Sequence, residues 1–444
     1  MTALDSDWFD ARVRAASDQL TGDEVLLASF HTEDTDFVRF NHAKVRQAGS
    51  IAQTEISLDL IEGQRHAEAT VGLTGDATVD DARILSVVER LREQRSQVPD
   101  DPHLLVNTTP TSSHQIAEST LPSTDDVVGT ITDRGAGQDL VGIYASGTVA
   151  SGFANSLGQR NWFETSTFDF DWTRYLQADK AVKSAYAGFG WDNAIFDRKL
   201  AEADAKFEAL KRTPVSLDPG EYATLLTPSA LEEVMGLLSY GAFGIRSQRT
   251  SQSSLLRLVT GDAQLDNRVR ISEHTADGVA PNFQEQGWLR PDEVVLVDEG
   301  QAAGALVSPR SSVEFGVEPN GAAGHESPES LAMAGGTLDD ADALARLDTG
   351  LWVGNLWYTN YSDVPGCRVT GMTRFATFWV EGGEIAAPVN VLRFDDSIYN
   401  MLGERLVDLT STPEMLVDNS TYEQRTSASM TLPGALIDGM RFTL

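Results

Sequence analysis

One cysteine, Cys367, occurs in 444 residues, which excludes an intrachain disulfide framework and a cysteine-cluster metal site and suits a reducing compartment. No stretch approaches the roughly 18 consecutive apolar residues that a membrane-spanning helix needs. The start, MTALDSDWFDARVRAAS, is acidic and amphipathic where a signal peptide would be basic and then apolar. A cytoplasmic protein without membrane contact is expected. Positive charge is scarce, lysine above all: Lys and Arg total 34 against 66 Asp and Glu, a formal net charge of −32. Such a surface repels phosphate backbones and anionic lipid, so nucleic acid is not an expected partner. The acidity reads as a solubility feature.

The usual catalytic signatures are missing too. No G-x-S-x-G elbow and no G-x-G-x-x-G turn occurs, so neither a serine-hydrolase nor a dinucleotide site has support. Ser251, Ser253 and Ser254 sit in a polar run without a basic neighbour. The single His-Glu pair, His325-Glu326, is bracketed by Gly321, Gly324 and Pro328, which makes it a loop feature and not a metal motif. His274 near Asp277 reads as a surface or hydrogen-bonded histidine. Cys367 has no histidine nearby to activate it and reads as a small buried residue.

The length is ample for two or three domains, and the patterning is that of an α+β protein. Residues 6–20 place Trp8, Phe9, Val13, Ala16 and Leu20 at helical spacing. Residues 24–30, 37–40, 50–60 and 66–71 read as short strands of an antiparallel meander, and a second helix runs from about Thr78 to Gln97. A Pro/Ser/Thr-rich stretch, 99–126, is irregular. Residues 140–154 and 161–171 alternate with period two, Phe163, Phe168, Phe170 and Trp172 supplying strand-forming aromatics; 191–211 returns to helical spacing. Three regions follow: an N-terminal α+β domain (1–98), a central β-rich and helical region (99–214), and a β-rich C-terminal domain (215–444). In the last, Glu221–Leu226 is a strand and Thr227-Pro228-Ser229 opens a helix to about Arg246. Strands are expected at 293–298, 303–307, 351–356, 373–381 and 389–394, and a mobile surface loop at 317–338. No internal repeat is evident.

Two features suit binding. Asn355, Trp357, Tyr358, Asn360 and Tyr361 concentrate amides and aromatics beside Gly354, a composition able to hold an extended peptide by stacking and backbone-directed hydrogen bonds, or to form an aromatic core strand. Arg374, between Thr370-Gly371 and an apolar strand, could hold a carboxylate or form a structural ion pair.

Several blocks, in order, resemble the TldD/PmbA family: LVGIYASGTVASGFANSLGQR (140–160), the strand, Pro-started helix and GAFGIRSQRTSQSSL exit of 221–255, ADGV followed by EVVLVDEGQAAGALV, then TGMTRFATFWVEGGEIAAP (370–388) and the closing SMTLPGALIDGMRF. The resemblance covers most of the chain and is fainter before residue 120. It implies a metallopeptidase subunit, TldD, with H-E-x-x-x-H on the Pro-started helix and a later cysteine, working with a PmbA (TldE) subunit. Here no histidine lies between His114 and His274, the helix continues as Leu237-Leu238-Ser239-Tyr240-Gly241, and Cys367 stands ahead of the Thr-Gly element, not near the chain end. The resemblance is therefore to the PmbA branch.

What it implies is a noncatalytic subunit of a TldD/TldE-type metallopeptidase that helps bind and admit extended peptide, with zinc in a TldD-like partner and no catalytic or metal-binding residue in this chain. The alternatives are an autonomous peptide- or natural-product-tailoring enzyme that cleaves amides, and a homodimeric peptide-binding protein. The tentative substrate-binding residues are Asn355, Trp357, Tyr358, Asn360 and Arg374, with the segment from Asn355 to Tyr361 placed on a groove shared in a heterodimer.

Overall fold

A computed structural model describes residues 4–177, 180–421 and 424–444. Helix α1 (Ser6–Ser17) begins at Asp5, whose carboxylate accepts the Trp8 N–H, and buries Phe9, Val13 and Ala16. The two strands expected at 24–30 and 37–40 are one, β1 (Val25–Asn41). The intervening HTEDTD has no apolar face to mark it as strand. It is held by backbone ladders on both sides, to β2 (Lys44–Glu62) and to β5 (Leu140–Asn155). The hairpin partner β3 (Arg65–Gly72) completes the meander, and α2 (Ala77–Arg95), capped by Asp76, covers it with Ile84, Val88 and Leu91.

The irregular stretch contributes β4 (Ser113–Ile116) and leads to α3 (Thr124–Arg134). Strands β6 (Arg160–Gln177) and β7 (Lys180–Gly188) follow, then α4 (Asn193–Leu210). All seven strands form one sheet, in the order β3-β2-β1-β5-β6-β4 with β7 also on β6, so the sheet runs across the junction at residue 98. Alternation along β6 gives its two faces different jobs. Phe168, Phe170 and Trp172 are fully buried and join Tyr186, Trp191 and Phe196 in an aromatic cluster under α4. Asp169, Asp171 and Thr173 point the other way.

The C-terminal half opens with β8 (Gly220–Leu226) and α5 (Pro228–Ser239). The helix expected to reach Arg246 stops at Ser239: Tyr240 leaves helical geometry and Gly241 takes φ +87°, after which the short α6 (Ile245–Arg249) begins. Next come β9 (Ile271–Glu273), β10 (Val294–Asp298), β11 (Gln301–Ala302) and β12 (Ser330–Met333). A long hairpin follows, β13 (Gly350–Asp363) and β14 (Arg368–Glu381), with β15 (Glu384–Pro388), β16 (Arg393–Ser397) and β17 (Leu406–Leu409). The chain ends with β18 (Glu414–Val417), β19 (Ser429–Leu432) and β20 (Ala435–Phe442). These make two mixed sheets, β11-β10-β9-β12-β19-β18 and β13-β8-β20-β16-β14-β15, with β17 on β20. Most pairings are antiparallel, and the architecture is α+β as expected.

Three local expectations are corrected. Residues 303–307 form only a bridge, Gly244 to Leu306, and the strand expected at 389–394 is shifted to β16. The segment 317–338 is not a mobile surface loop. Ala322, Ala323 and Glu326 are buried and β12 lies within it. Its small residues allow close threading: a Cβ on Gly321, at φ +77°, would sit 2.4 Å from the Leu289 carbonyl oxygen. The Glu326 carboxylate then accepts the Ser308 N–H and hydroxyl and the Arg246 N–H, tying the segment to α6. The largest core lies beneath α5, whose Leu231, Val234, Met235 and Leu238 pack with Val353, Leu356, Phe394 and Phe442.

Candidate functional site

The outward face of β6 and β7 meets α5, β13 and β18 across a groove. At one end is a cavity of about 640 Å³ whose walls carry Arg39, Arg46 and Arg425 opposite Asp169, Asp171 and Asp418. At the other is one of about 250 Å³ walled by Lys183, Lys199, Lys206, Ser229, Asn355 and Glu414. A narrow gap joins them, sharing Asp169, Asp171 and Asn419 with the first and Lys183, Ser229, Asn355 and Glu414 with the second.

Lys183 sits at the centre. Its Nζ is 2.9 Å from an Asp171 carboxylate oxygen, and the Asn419 amide donates to Asp171 at 2.9 Å. Burial pushes Asp169 up to about 7, and the like charge of Asp171 adds to this. Burial likewise pushes Glu232, on the second turn of α5, to about 7, with Glu233 reinforcing it and Lys183 opposing. Burial alone would lower Lys183. Asp171, Glu232 and Glu233 outweigh that and leave its pKa raised. An ammonium is thus held among carboxylates, two of which change charge near neutrality. Such a set can bind polar backbone and exchange protons.

It does not fit zinc. The metal motif that the resemblance places on this helix needs imidazole nitrogens converging on the ion, and α5 carries no histidine. The cation that faces Glu232 and Glu233 is the chain's own Lys183. Among the described residues no group of three or more His, Cys, Asp or Glu side chains is placed to hold a metal.

The sequence-derived binding residues divide between two places. Asn355, 9 % exposed, lines the groove beside Lys183. Trp357 and Tyr358, 45 % and 75 % exposed, lie further along β13 on the outer surface, their rings 5.7 Å apart. They owe that position to two bulges. Tyr358 (φ +56°) on β13 and Phe375 (φ +58°) on β14 are left-handed non-glycine residues at register shifts of the hairpin, a conformation that costs on the order of 1–2 kcal/mol each. Arg374, opposite Asn355 in register, lays its guanidinium 4.3 Å from the Trp357 ring; among the described residues no carboxylate pairs with it. Phe375 reaches Tyr175 of β6 edge-on at 6.4 Å, so the hairpin touches the N-terminal sheet. Asn360 pairs with Thr370 at the exposed end, and its side chain accepts the Tyr361 N–H.

The remaining sequence candidates are structural. Glu326 binds backbone, His325 is exposed, and the half-buried His274 lies 3.4 Å from the exposed Asp277. Cys367 is fully buried and burial pushes its thiol to about 12. Ser254 accepts or donates to the Tyr361 hydroxyl, and Ser253 donates to the Ala242 carbonyl. What sequence reasoning missed is the set Asp169, Asp171, Lys183, Glu232 and Lys206. A signal existed in FDFDWT: aromatics buried on one face require two aspartates on the other.

A long sheet clasping a two-sheet C-terminal unit, with a Pro-started helix bordering the groove between them, defines a two-part α+β protein. Residues 219–444, just over half of the chain, match the PmbA/TldA metallopeptidase C-terminal domain, and the chain belongs to the TldD/PmbA family. The fold is that of TldE from Thermococcus kodakarensis, with 12% identity, a TM-score of 0.78, and 98% of this chain and 100% of that one covered. A Thermotoga maritima protein named as a candidate modulator of a DNA gyrase shares it at 13% identity and a TM-score of 0.75, covering 98% and 99%. One from Bacteroides thetaiotaomicron with the same description does so at 13% and 0.72, covering 98% and 97%. No curated protein sequence matches the chain. Among the described residues no helix is long and apolar enough to cross a membrane.

Proposed function

We propose that the chain is the noncatalytic, PmbA/TldE-like subunit of a two-subunit metallopeptidase, holding extended peptide in the groove for a TldD-like partner that carries the zinc. The observation that carries this reading is the groove's own chemistry. Its helix presents Glu232 and Glu233 to a lysine where the catalytic branch would need imidazoles, while its open walls offer amide, carboxylate and ammonium groups to a peptide backbone. The exposed Trp357–Arg374 stack lies on the same hairpin and extends the binding surface toward the partner. The test is co-purification: a tagged chain retains a zinc-bearing TldD-like subunit, and only the pair cleaves unfolded peptide. Cleavage by the isolated chain would instead support an autonomous amide-cleaving enzyme, a reading favoured by one observation, the pairing of Asp169 and Glu232, both near 7, around Lys183.

A further inference from the structure

The chain has only six lysines, and five of them fall between residues 180 and 211. Three of these, Lys183, Lys199 and Lys206, wall the 250 Å³ cavity at the start of α5. In a protein of net charge −32 that is a local reversal of sign. Two of the three are balanced: Lys183 by Asp171 at 2.9 Å and Lys199 by Glu414 at 2.6 Å. Lys206 is not. Among the described residues no carboxylate lies within ion-pair distance of it, and its ammonium stands 4.8 Å from the centre of the Trp352 ring. Burial pulls its pKa down, Glu202 and Glu414 offset this only in part, and a bound anion would offset it further.

A second, independent feature points into the same cavity. Asn355 is 9 % exposed and its amide has no hydrogen-bond partner among the described residues. Leu356 packs into the core beneath α5, so strand alternation turns Asn355 the opposite way, into the cavity. The amide opens into the cavity, where a ligand oxygen can take the place of water on it. Ser229 stands beside it in the first turn of α5; Pro228 has no N–H and Ala230 donates to the Thr227 cap, so the N–H of Ser229 is the one left for a ligand, at the end of the helix where the dipole favours negative charge.

We infer that this cavity is a carboxylate site, in which Lys206, Asn355 and the first turn of α5 receive a carboxylate of the peptide lying in the groove. The charge count favours a carboxylate over phosphate. With Lys183 and Lys199 already neutralised, one positive charge remains, and Glu202 and Glu414 in the same walls would repel a dianion. A planar pair of oxygens suits one ammonium and one amide donor. The carboxylate comes from the peptide's C-terminus or from an acidic side chain. The inference rests on the peptide reading of the groove.

Six lysines are few enough for each ε-carbon signal to be followed in a 13C-lysine-labelled chain, with K206R assigning Lys206. Acetate titrated at constant ionic strength should shift the Lys206 signal saturably and raise its pKa, while exposed Lys44 stays still. By calorimetry, a short Gly/Ser/Val peptide should bind about tenfold more tightly with a free C-terminus than with an amide. That gap should vanish in K206M and persist in K206R. An amide-ended peptide with one internal Asp tells the two sources apart by recovering the affinity or failing to. A Lys206 signal that follows acetate no more than Lys44 does, or that saturates with phosphate at lower concentration, overturns the assignment. Equal binding of both termini overturns it and leaves the peptide groove standing. An acetate response without any peptide binding upholds the carboxylate site and removes the peptide reading.

Discussion

Lys183 on β7 and Asp171 on β6 are diagonal neighbours on one face of the sheet, ammonium to carboxylate 2.9 Å apart, and α5 brings Glu232 and Glu233 against the same ammonium. The ion pair lies within the N-terminal sheet, and the approach of Glu232 and Glu233 to it joins that sheet to the C-terminal half. Lys183 also supplies a cation in the middle of the groove.

Replacing Lys183 by methionine keeps the stem and removes the charge. Asp171 and Glu232 then face each other uncompensated, and the chain should lose about 1 kcal/mol of stability at pH 8, a figure kept small because the pair is partly solvated. The loss should shrink toward pH 5.5 as Glu232, pushed up to about 7 by burial, takes up a proton. Urea melts of both proteins at the two pH values check it; an equal loss at both would mean that only packing was removed.

Asp169 has a folded pKa raised to about 7 from 3.8. The folded state therefore holds a proton that the unfolded state has released, and the group's contribution to stability falls as pH rises from about 4 to about 7 and is flat above. Asp169→Asn should stabilise the chain at pH 8 by on the order of 2 kcal/mol, less whatever Arg425 loses, and by nearly nothing at pH 4. The difference between variant and parent melting curves across that window reads the effect. A destabilised variant at pH 8 would show the ionised carboxylate to be the favoured form.

Trp357 and Tyr358 are exposed enough that changing both to alanine should leave the isolated chain folded, with an unchanged circular dichroism spectrum and melting temperature. Peptide processing by the mixed complex should weaken by roughly thirtyfold, about 2 kcal/mol of lost aromatic contact. Normal processing by the folded variant would remove these residues from the binding surface.

Cys367 should resist a maleimide in the native chain at pH 8 and react within the dead time after denaturation, because burial pushes its thiol to about 12. Fast native labelling, followed by mass spectrometry, would contradict its enclosed position between Ser254 and the core.

Much of the fold was legible because periodicity reports which face is buried. The helical stripe of α1, the strand alternation of β5 and β6 and the Pro-started α5 all follow from it. The polar middle of β1 was not legible, since neighbouring strands and not its own side chains hold it. Nor was the burial of residues 322–326, where composition signals a loop and a backbone-binding glutamate decides otherwise. Asn355 was found from composition, as part of a dense amide and aromatic segment. The bulges at Tyr358 and Phe375 then separated it from Trp357, turning one candidate cluster into two.

The sequence by itself determined the family, the α+β class, the absence of imidazoles on α5 and the scarcity of lysine, because each is a property of residue identity and local order. Only the tertiary structure decided that Asp171, Lys183, Glu232 and Asn355 form one site and that three of six lysines share one cavity. Those residues come from β6, β7, α4, α5 and β13, elements up to nearly two hundred residues apart in the chain. Strand pairing and the packing of the two halves bring them together, and no local pattern encodes a distance of that kind.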